Sequence, residues 1–593
     1  MIDKIFEIKK NIDFDFRKYT YGNDPLKYLF DEWVDYYKLK FAICKAIEPK
    51  SILEIGVRYG YDAITFLNAC PDASYLGIDN NSDTFGGSIG AIKWAKEITK
   101  GFNVEFLIAN TQDLKEFPGD YFDLIHIDGQ QDGDGTYRDL ELALGKGYFI
   151  LVDGYYWSKE NMLSSTYFTE KYKAFIEYAI IIPGYAGELL IKTKPYAKDI
   201  FLNKHIKGYQ DLKNTYDTVY YMNDCGGYDS FKRYGGKKIT DGRILAANYL
   251  ADPHGNDIIL DIGSGRGELS YLLSKKTKKV IGLDYSESAI NIATATYSNM
   301  TNLNFIQEDI LKYNPDFKFD KILMTDVVEH IEDDKLYRTF EKISKLLNNN
   351  GILIIHTAPN KLNYKYAYNK KYKLAKSIGS YIPSNPRTFY EDLMHINEQT
   401  PAKLKNSLKR YFSKIFVWTT NLPDIKGNLT LIPNKTDLLN HTSIFAIATN
   451  RKDFTINTIV NLISQNKLDT HNLKVVIEVG GNELTLARAE YYTVNIKLTN
   501  LSKESFKSRL PYPVYLAYHW YNLETNSYEI FDGIRTDLQT PIEPNESKDL
   551  EMDVVAPERA GKYLLQITLV QEQQFWFENI IDNLPVVIKV EII

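Results

Sequence analysis

Three cysteines in 593 residues, Cys44, Cys70 and Cys225, are too few and too widely spaced for a disulfide framework or a thiolate metal site. Reduced thiols are expected. Excess positive charge is also missing: 71 Lys and Arg against 77 Asp and Glu leave a formal net charge of -6. Without a basic footprint, no nucleic-acid partner is expected. No apolar run reaches the roughly 20 residues that cross a bilayer, and the start Met1-Ile2-Asp3 is unlike a secretory leader. The expectation is a cytoplasmic protein without a membrane span. The length excludes a single core, since about 150 residues per domain implies three or four domains. Aromatic residues are plentiful, with 45 Tyr and 29 Phe. That fits sugar-stacking surfaces or simply a Lys/Asn/Ile/Tyr-rich composition.

What is present is organised around residues 260–267, Leu-Asp-Ile-Gly-Ser-Gly-Arg-Gly. An apolar run ends in Asp261, Gly263, Gly265 and Gly267 follow at alternate positions, and Leu269, Leu272 and Leu273 continue at helical spacing. This predicts a strand, a tight turn and a helix, with glycine permitting the turn and the close approach of a ligand to bare backbone. Some 20 residues on, a second strand ends in Asp284, where a ribose-binding acid is expected. The glycine triplet, Asp261 and Asp284 together resemble the S-adenosylmethionine (SAM) site of class I methyltransferases. The G-x-G-x-G spacing is tighter than the G-x-G-x-x-G of dinucleotide binders and favours SAM over NAD.

Upstream, residues 51–60 repeat the opening: Glu54 precedes Gly56 and Gly60, and the next strand ends in Asp79. Further strands end at Asp128 and Asp153, and alternation with helices predicts a parallel, doubly wound sheet. Residues 1–195, with the turn E-I-G-V-R-Y-G, the strand ends I-H-I-D-G and V-D-G, and Tyr137-Arg138-Asp139-Leu140, resemble the macrocin O-methyltransferase and cephalosporin hydroxylase branch of that fold. The resemblance implies a divalent metal, Mg²⁺ by its oxygen ligands, held by Asp128 and Asp153. Gly154 stands where that branch often has another acid, with Asp132 or Asp134 as substitutes; the alternative is that Asp128 and Asp153 are solvated strand-end acids.

The second unit is expected at 204–450. The chain between 195 and 255 is polar and tyrosine-rich, and 220–228 within it is expected to form a linker and a lid over the second site. Asp309 ends its third strand, facing the adenine amino group as the resemblance implies, and Asp326-Val327-Val328-Glu329-His330 matches the superfamily's D-V-x-E-H segment. The basic, aromatic insertion 364–387 is expected to cover the acceptor. Removing an acceptor proton suits an imidazole, which makes His330 and His395 the candidate bases. Residues 473–593 read as short alternating strands broken by Gly, Pro and Asn, an immunoglobulin-like β-sandwich. They resemble accessory sandwiches on bacterial glycan-modifying enzymes, with Trp520, Tyr521, Trp576 or Phe577 available to stack on sugars. The fold class expected is α/β: two doubly wound Rossmann-like methyltransferase domains followed by an all-β sandwich. The function expected is SAM-dependent O-methylation of a sugar in a surface polysaccharide or its precursor, with a saccharide acceptor and other glycan-assembly proteins as partners. The alternatives are methylation of a small-molecule natural product, and a glycan-binding or assembly protein with one degenerate methyltransferase module.

Overall fold

The computed structural model describes residues 1–84, 86–201, 215–431, 434–481 and 483–593. Its first sheet contains β1 (Ser51–Ile55), β2 (Ser74–Asp79), β3 (Val104–Ile108), β4 (Phe122–Ile127), β5 (Gly147–Val152), β6 (Ile176–Ile182) and β7 (Glu188–Thr193). The order is β3-β2-β1-β4-β5-β7-β6. β1 to β5 run parallel, with Ile55 beside both Ile78 and Ile127, and β7 lies antiparallel between β5 and β6. The second sheet repeats this order with β8 (Ile258–Ile262), β9 (Lys279–Asp284), β10 (Leu303–Gln307), β11 (Phe319–Thr325), β12 (Leu347–Thr357), β13 (Lys414–Thr420) and β14 (Ser443–Thr449): β10-β9-β8-β11-β12-β14-β13. The central strands carry continuous apolar runs because both of their faces are covered. In each sheet the winding reverses at the first strand, and the crevice beyond its carboxyl end is where such sheets bind ligands. The hairpin expected at 183–192 is the β6–β7 pair.

The chain divides into two compact units, 1–225 with 364–395, and 226–363 with 396–593. The expected boundary at 204 lies outside the described residues. The stretch 220–228, expected as a linker and lid over the second site, is divided: 220–225 join the first unit, where Tyr220 packs on Tyr390 at 5.1 Å between ring centroids, and 226–228 join the second, where the Gly226 carbonyl accepts from Arg266 Nη2 at 2.7 Å. The insertion expected to cover the second domain's acceptor also belongs to the first unit. Phe389 meets Phe175 edge-on at 4.8 Å, Tyr381 lies 6.0 Å from Tyr137, and Lys376 pairs with Asp134 at 2.5 Å. Phe389, Tyr390 and Met394 are buried with Phe168, Tyr172 and Phe201. Their apolar area selects this core, something that the insertion's net charge and position in the chain do not reveal.

The last 120 or so residues form a sheet-rich region of β15 (Val475–Val479), β16 (Glu483–Leu486), β17 (Tyr491–Asn500), β18 (Val514–Asn522), β19 (Ser527–Ile530), β20 (Ser547–Val555), β21 (Gly561–Gln571), β22 (Phe575–Trp576) and β23 (Val586–Ile592). One sheet is β15-β17-β20, the other β16-β23-β21-β18-β19 with β22 on β21. Inward residues from both, among them Leu498, Met552, Trp520 and Leu565, share one core, and β17 shows the alternation of a half-buried strand. Trp520 and Phe577, expected as sugar platforms, are completely buried, and the Trp520 indole N–H donates to the Val555 carbonyl. Exposed rings lie instead at Tyr528 and Phe531, beside Trp576 and His519. In chemical denaturation, Trp520→Ala is expected to cost about 3–5 kcal/mol, whereas Tyr528→Ala stays within about 0.5 kcal/mol of wild type.

Candidate functional site

At the end of β8 the chain must turn sharply under the sheet's carboxyl edge, and Gly263, Gly265 and Gly267 all take positive φ, 70°, 52° and 87°. A Cβ on Gly263 would come within 2.4 Å of Val327 Cγ2, and one on Gly267 within 2.6 Å of the Phe305 ring. The Gly263 N–H donates to the Leu283 carbonyl at 2.7 Å, and the Gly265 N–H donates to Asp284 Oδ2 at 3.0 Å. Asp284 Oδ1 accepts the Ser286 N–H at 2.8 Å. Each Asp284 oxygen keeps acceptor capacity, so the carboxylate can take a pair of ribose hydroxyls. Burial pushes its pKa up to about 6 against the opposing backbone hydrogen bonds. Asp261 is buried deeper, accepts the Ser270 hydroxyl at 2.6 Å, and is raised by burial to about 7. Asp309 is already engaged. It accepts the Leu311 N–H at 3.0 Å and pairs with Lys335 at 3.0 Å, and these partners outweigh burial and hold it below the ordinary carboxylate value.

The first sheet rebuilds this cradle. Gly56, Arg58 and Gly60 take φ of 90°, 50° and 78°, matching Gly263, Gly265 and Gly267 in sign at each step. Asp79 Oδ2 accepts the Arg58 N–H at 2.8 Å, and Oδ1 accepts the Asn81 N–H at 2.6 Å. Glu54 is fully buried and accepts the Tyr75 hydroxyl at 2.5 Å. The difference is at the middle of the loop. Where the second cradle offers bare glycine backbone, the first carries Arg58 in a left-handed conformation that costs a non-glycine residue about 1–2 kcal/mol. Its guanidinium pairs with Asp24 at 2.7 Å.

Asp128 and Asp153, expected to hold a metal, do come together beyond β4 and β5, yet their surroundings do not fit a divalent ion. Gln131 Nε2 donates to Asp128 Oδ1 at 3.1 Å and to Asp153 Oδ2 at 3.2 Å. The Tyr36 hydroxyl donates to Asp153 Oδ1 at 2.5 Å, and the Lys40 ammonium lies 2.9 Å from the same oxygen. The substitutes are elsewhere: Asp132 accepts the Gly135 N–H, and Asp134 pairs with Lys376. Mg²⁺ needs several oxygens at about 2.1 Å in a near-octahedral array; here a cation is already seated among them. Lys40, on the helix Trp33–Ile47, gave no signal in the sequence, since nothing about a mid-helix lysine marks it as buried.

Beyond β11 the second domain gathers charged groups that the sequence reading left without a role. Asp326 adopts φ 54°, a strained conformation of the kind concentrated at functional sites. Its Oδ2 accepts from Arg243 Nη1 at 2.5 Å and its Oδ1 pairs with His356 Nδ1 at 2.7 Å. Burial alone would raise its pKa, but His356 and Arg243 outweigh it, His330 adds to them, and Asp326 stays well below the ordinary carboxylate value. The sequence signal for this group is the acid that opens Asp326-Val-Val-Glu-His330. Of the candidate bases, His330 belongs to this unit and is half-buried, while His395 ends the segment that packs with the first unit.

Cofactor affinity of the second domain should therefore decline as pH falls through about 6, where the Asp284 carboxylate takes up a proton. Asp284→Ala should lower affinity tenfold or more, since a hydrogen bond to a charged group is worth about 1.5–3 kcal/mol. Calorimetric titration with S-adenosylhomocysteine checks both, with Asp79→Ala in parallel for the first domain.

The methyltransferase-domain family matches residues 253–412, which hold the glycine loop, Asp284, Asp309 and Asp326. Malonyl-[acyl-carrier protein] O-methyltransferase 1 of Ilyobacter polytropus is 30% identical over 140 residues, 22% of this chain and 52% of that protein. The phosphoethanolamine N-methyltransferase of Plasmodium falciparum is 31% identical over 225 residues, 33% of this chain and 85% of that protein. The chain spans about half the length of the curated relatives it matches first. The solved N-methyltransferase NodS of Bradyrhizobium japonicum, in complex with S-adenosyl-l-homocysteine, is 14% identical over 40% of this chain and 93% of that chain, with a TM-score of 0.26, too slight a likeness to carry further argument. An acid–glycine cradle under a parallel sheet, a domain match that encloses it, and a relative matched over most of its length converge: the chain belongs to the class I S-adenosylmethionine-dependent methyltransferases.

Proposed function

We propose that the second domain methylates a hydroxyl of a saccharide acceptor. The observation that carries the reading is the grouping of Asp326, Arg243 and His356, with His330 close enough to act on Asp326 electrostatically, in the same domain as the Asp284 cradle. Gly263, Gly265, Gly267, Asp261 and Asp284 would hold SAM. Bound there, SAM supplies a methyl group already activated by its sulfonium. The protein's part is to orient the acceptor and take up its proton. Asp326, held ionised, accepts a hydrogen bond from the acceptor hydroxyl, and His330 receives the proton. Arg243 and His356 are positioning residues, fixing the carboxylate from either side.

The saccharide is supported by the sheet-rich region, which we read as an immunoglobulin-like accessory sandwich. Tyr528 and Phe531 expose about half their surface there, with Trp576 against Phe531, and such rings stack on sugar faces. The region is not a detachable tail. Lys276 pairs with Glu546 at 3.0 Å, and the Arg509 guanidinium lies 3.9 Å from the Tyr249 ring centre, so point substitutions test it better than truncation. A second reading, methyl transfer to an amine nitrogen, is favoured by the similarity to a phosphoethanolamine N-methyltransferase and by a carboxylate suited to a cationic acceptor.

Product mass and NMR after incubation with SAM and a panel of nucleotide-sugar and lipid-linked precursors decide between them: an O-methyl sugar supports the first reading, an N-methyl amine the second. Asp326→Asn should lower kcat/KM by about 10²-fold or more, while Asp79→Ala leaves this activity intact. The double variant Tyr528→Ala/Phe531→Ala should weaken action on a long acceptor and leave turnover of a short one unchanged, because a remote binding surface alters local concentration and not chemistry.

A further inference from the structure

Lysine stems ordinarily carry their ammonium to water, but the Lys40 side chain is 0% exposed. A charge buried this completely must be paired. Its Nζ lies 2.9 Å from Asp153 Oδ1, 3.0 Å from Asp62 Oδ1, 3.2 Å from His126 Nε2 and 4.0 Å from Asp128 Oδ2, with the Tyr36 ring centre 4.4 Å away. An ammonium has three N–H groups and no acceptor, so His126 Nε2 must be the unprotonated ring nitrogen. Burial first, and then the Lys40 charge, hold that imidazole well below its ordinary pKa, in the neutral form that can accept.

The side chains around this nitrogen are those that would otherwise ligate a metal. Ligand atoms of His126, Asp128 and Asp153 all lie within 4.8 Å of one another, and so do those of Glu54, Asp62 and His126. Lys40 reaches members of both groups. A divalent ion bonded at about 2.1 Å to such oxygens would have to share their centre with Nζ, against both steric overlap and like-charge repulsion. Gln131, Tyr36 and the buried Glu188 also hydrogen-bond Asp153, and Asp128, its side chain 27% exposed, is the most open of the described acids around Lys40.

We infer that Lys40 is the resident cation of the first domain: its ammonium occupies the divalent-metal position and holds Asp62, Asp128, Asp153 and His126 in register without any ion. The site is thereby metal-independent, and a hydroxyl-bearing ligand entering it meets Asp128 and Gln131 in place of a metal's open coordination position.

The test uses Mn²⁺ alone, an oxygen-preferring divalent ion whose unbound form is read directly by electron paramagnetic resonance, on the full-length protein. Wild type should show no Mn²⁺ binding that depends on Asp128. Lys40→Ala, and Lys40→Met, which preserves most of the packing, should gain a single Mn²⁺ per chain, lost again when Asp128→Asn is added. A wild-type protein that binds Mn²⁺ and loses it in Asp128→Asn or Asp153→Asn overturns the assignment. So does a folded Lys40→Ala or Lys40→Met protein that binds none. If neither lysine variant folds, the wild-type titration with its Asp128→Asn control decides alone.

Discussion

One carboxylate-to-backbone contact sets the geometry of each glycine-loop cradle. The acid that ends β9, Asp284, reaches across to the loop after β8 and accepts the Gly265 N–H, while its other oxygen accepts from Ser286. The acid that ends β2, Asp79, does the same with Arg58 and Asn81. The contact fixes the loop in its left-handed sequence of dihedrals and aims the remaining lone pairs of the carboxylate at the crevice. Taking an acid out of water carries a cost that rises with burial. In Asp284 this appears as a pKa raised to about 6, the price of a preformed hydrogen-bond acceptor at the ligand.

The two sheets share a strand order but solve the site beyond it differently. In the second domain a largely buried carboxylate, Asp326, is held between two basic groups, Arg243 and His356. In the first the arrangement is inverted: one basic group, Lys40, sits among several acids. The first device holds Asp326 well below the ordinary carboxylate range; the second does so for Asp153 alone, while burial pushes Asp128 well above that range and Asp62 up to about 6.

The fold was largely legible in the sequence, because strand-end acids, glycines with a required φ and two-sided apolar runs are local signals. Asp261, Asp284, Glu54 and Asp79 could be placed from spacing alone. What could not be read was anything fixed by long-range packing. Lys40 lies 88 positions before Asp128 on a helix whose pattern does not distinguish it, and Asp128 and Asp153 therefore looked like free ligands. Trp520 and Trp576 are equally aromatic in the sequence, yet strand alternation and register bury the first completely and leave the second only partly buried. The insertion 364–395 reads as basic, but Tyr381, Phe389 and Tyr390 decide its destination through the apolar area they bury.

That insertion constrains how the polypeptide can be synthesised. Domains usually complete themselves in the order in which they leave the ribosome. Here the core around Phe175 and Phe201 needs Phe389 and Tyr390, which emerge only after β8 to β12 of the second sheet have been made. For the interval in which roughly 140 intervening residues are translated, the nascent first unit is short of part of its interior, and its apolar surface near Phe175 faces the cellular milieu. Chaperone capture of ribosome-bound chains should therefore persist past the point where the first sheet is complete and end once residue 395 has cleared the exit tunnel.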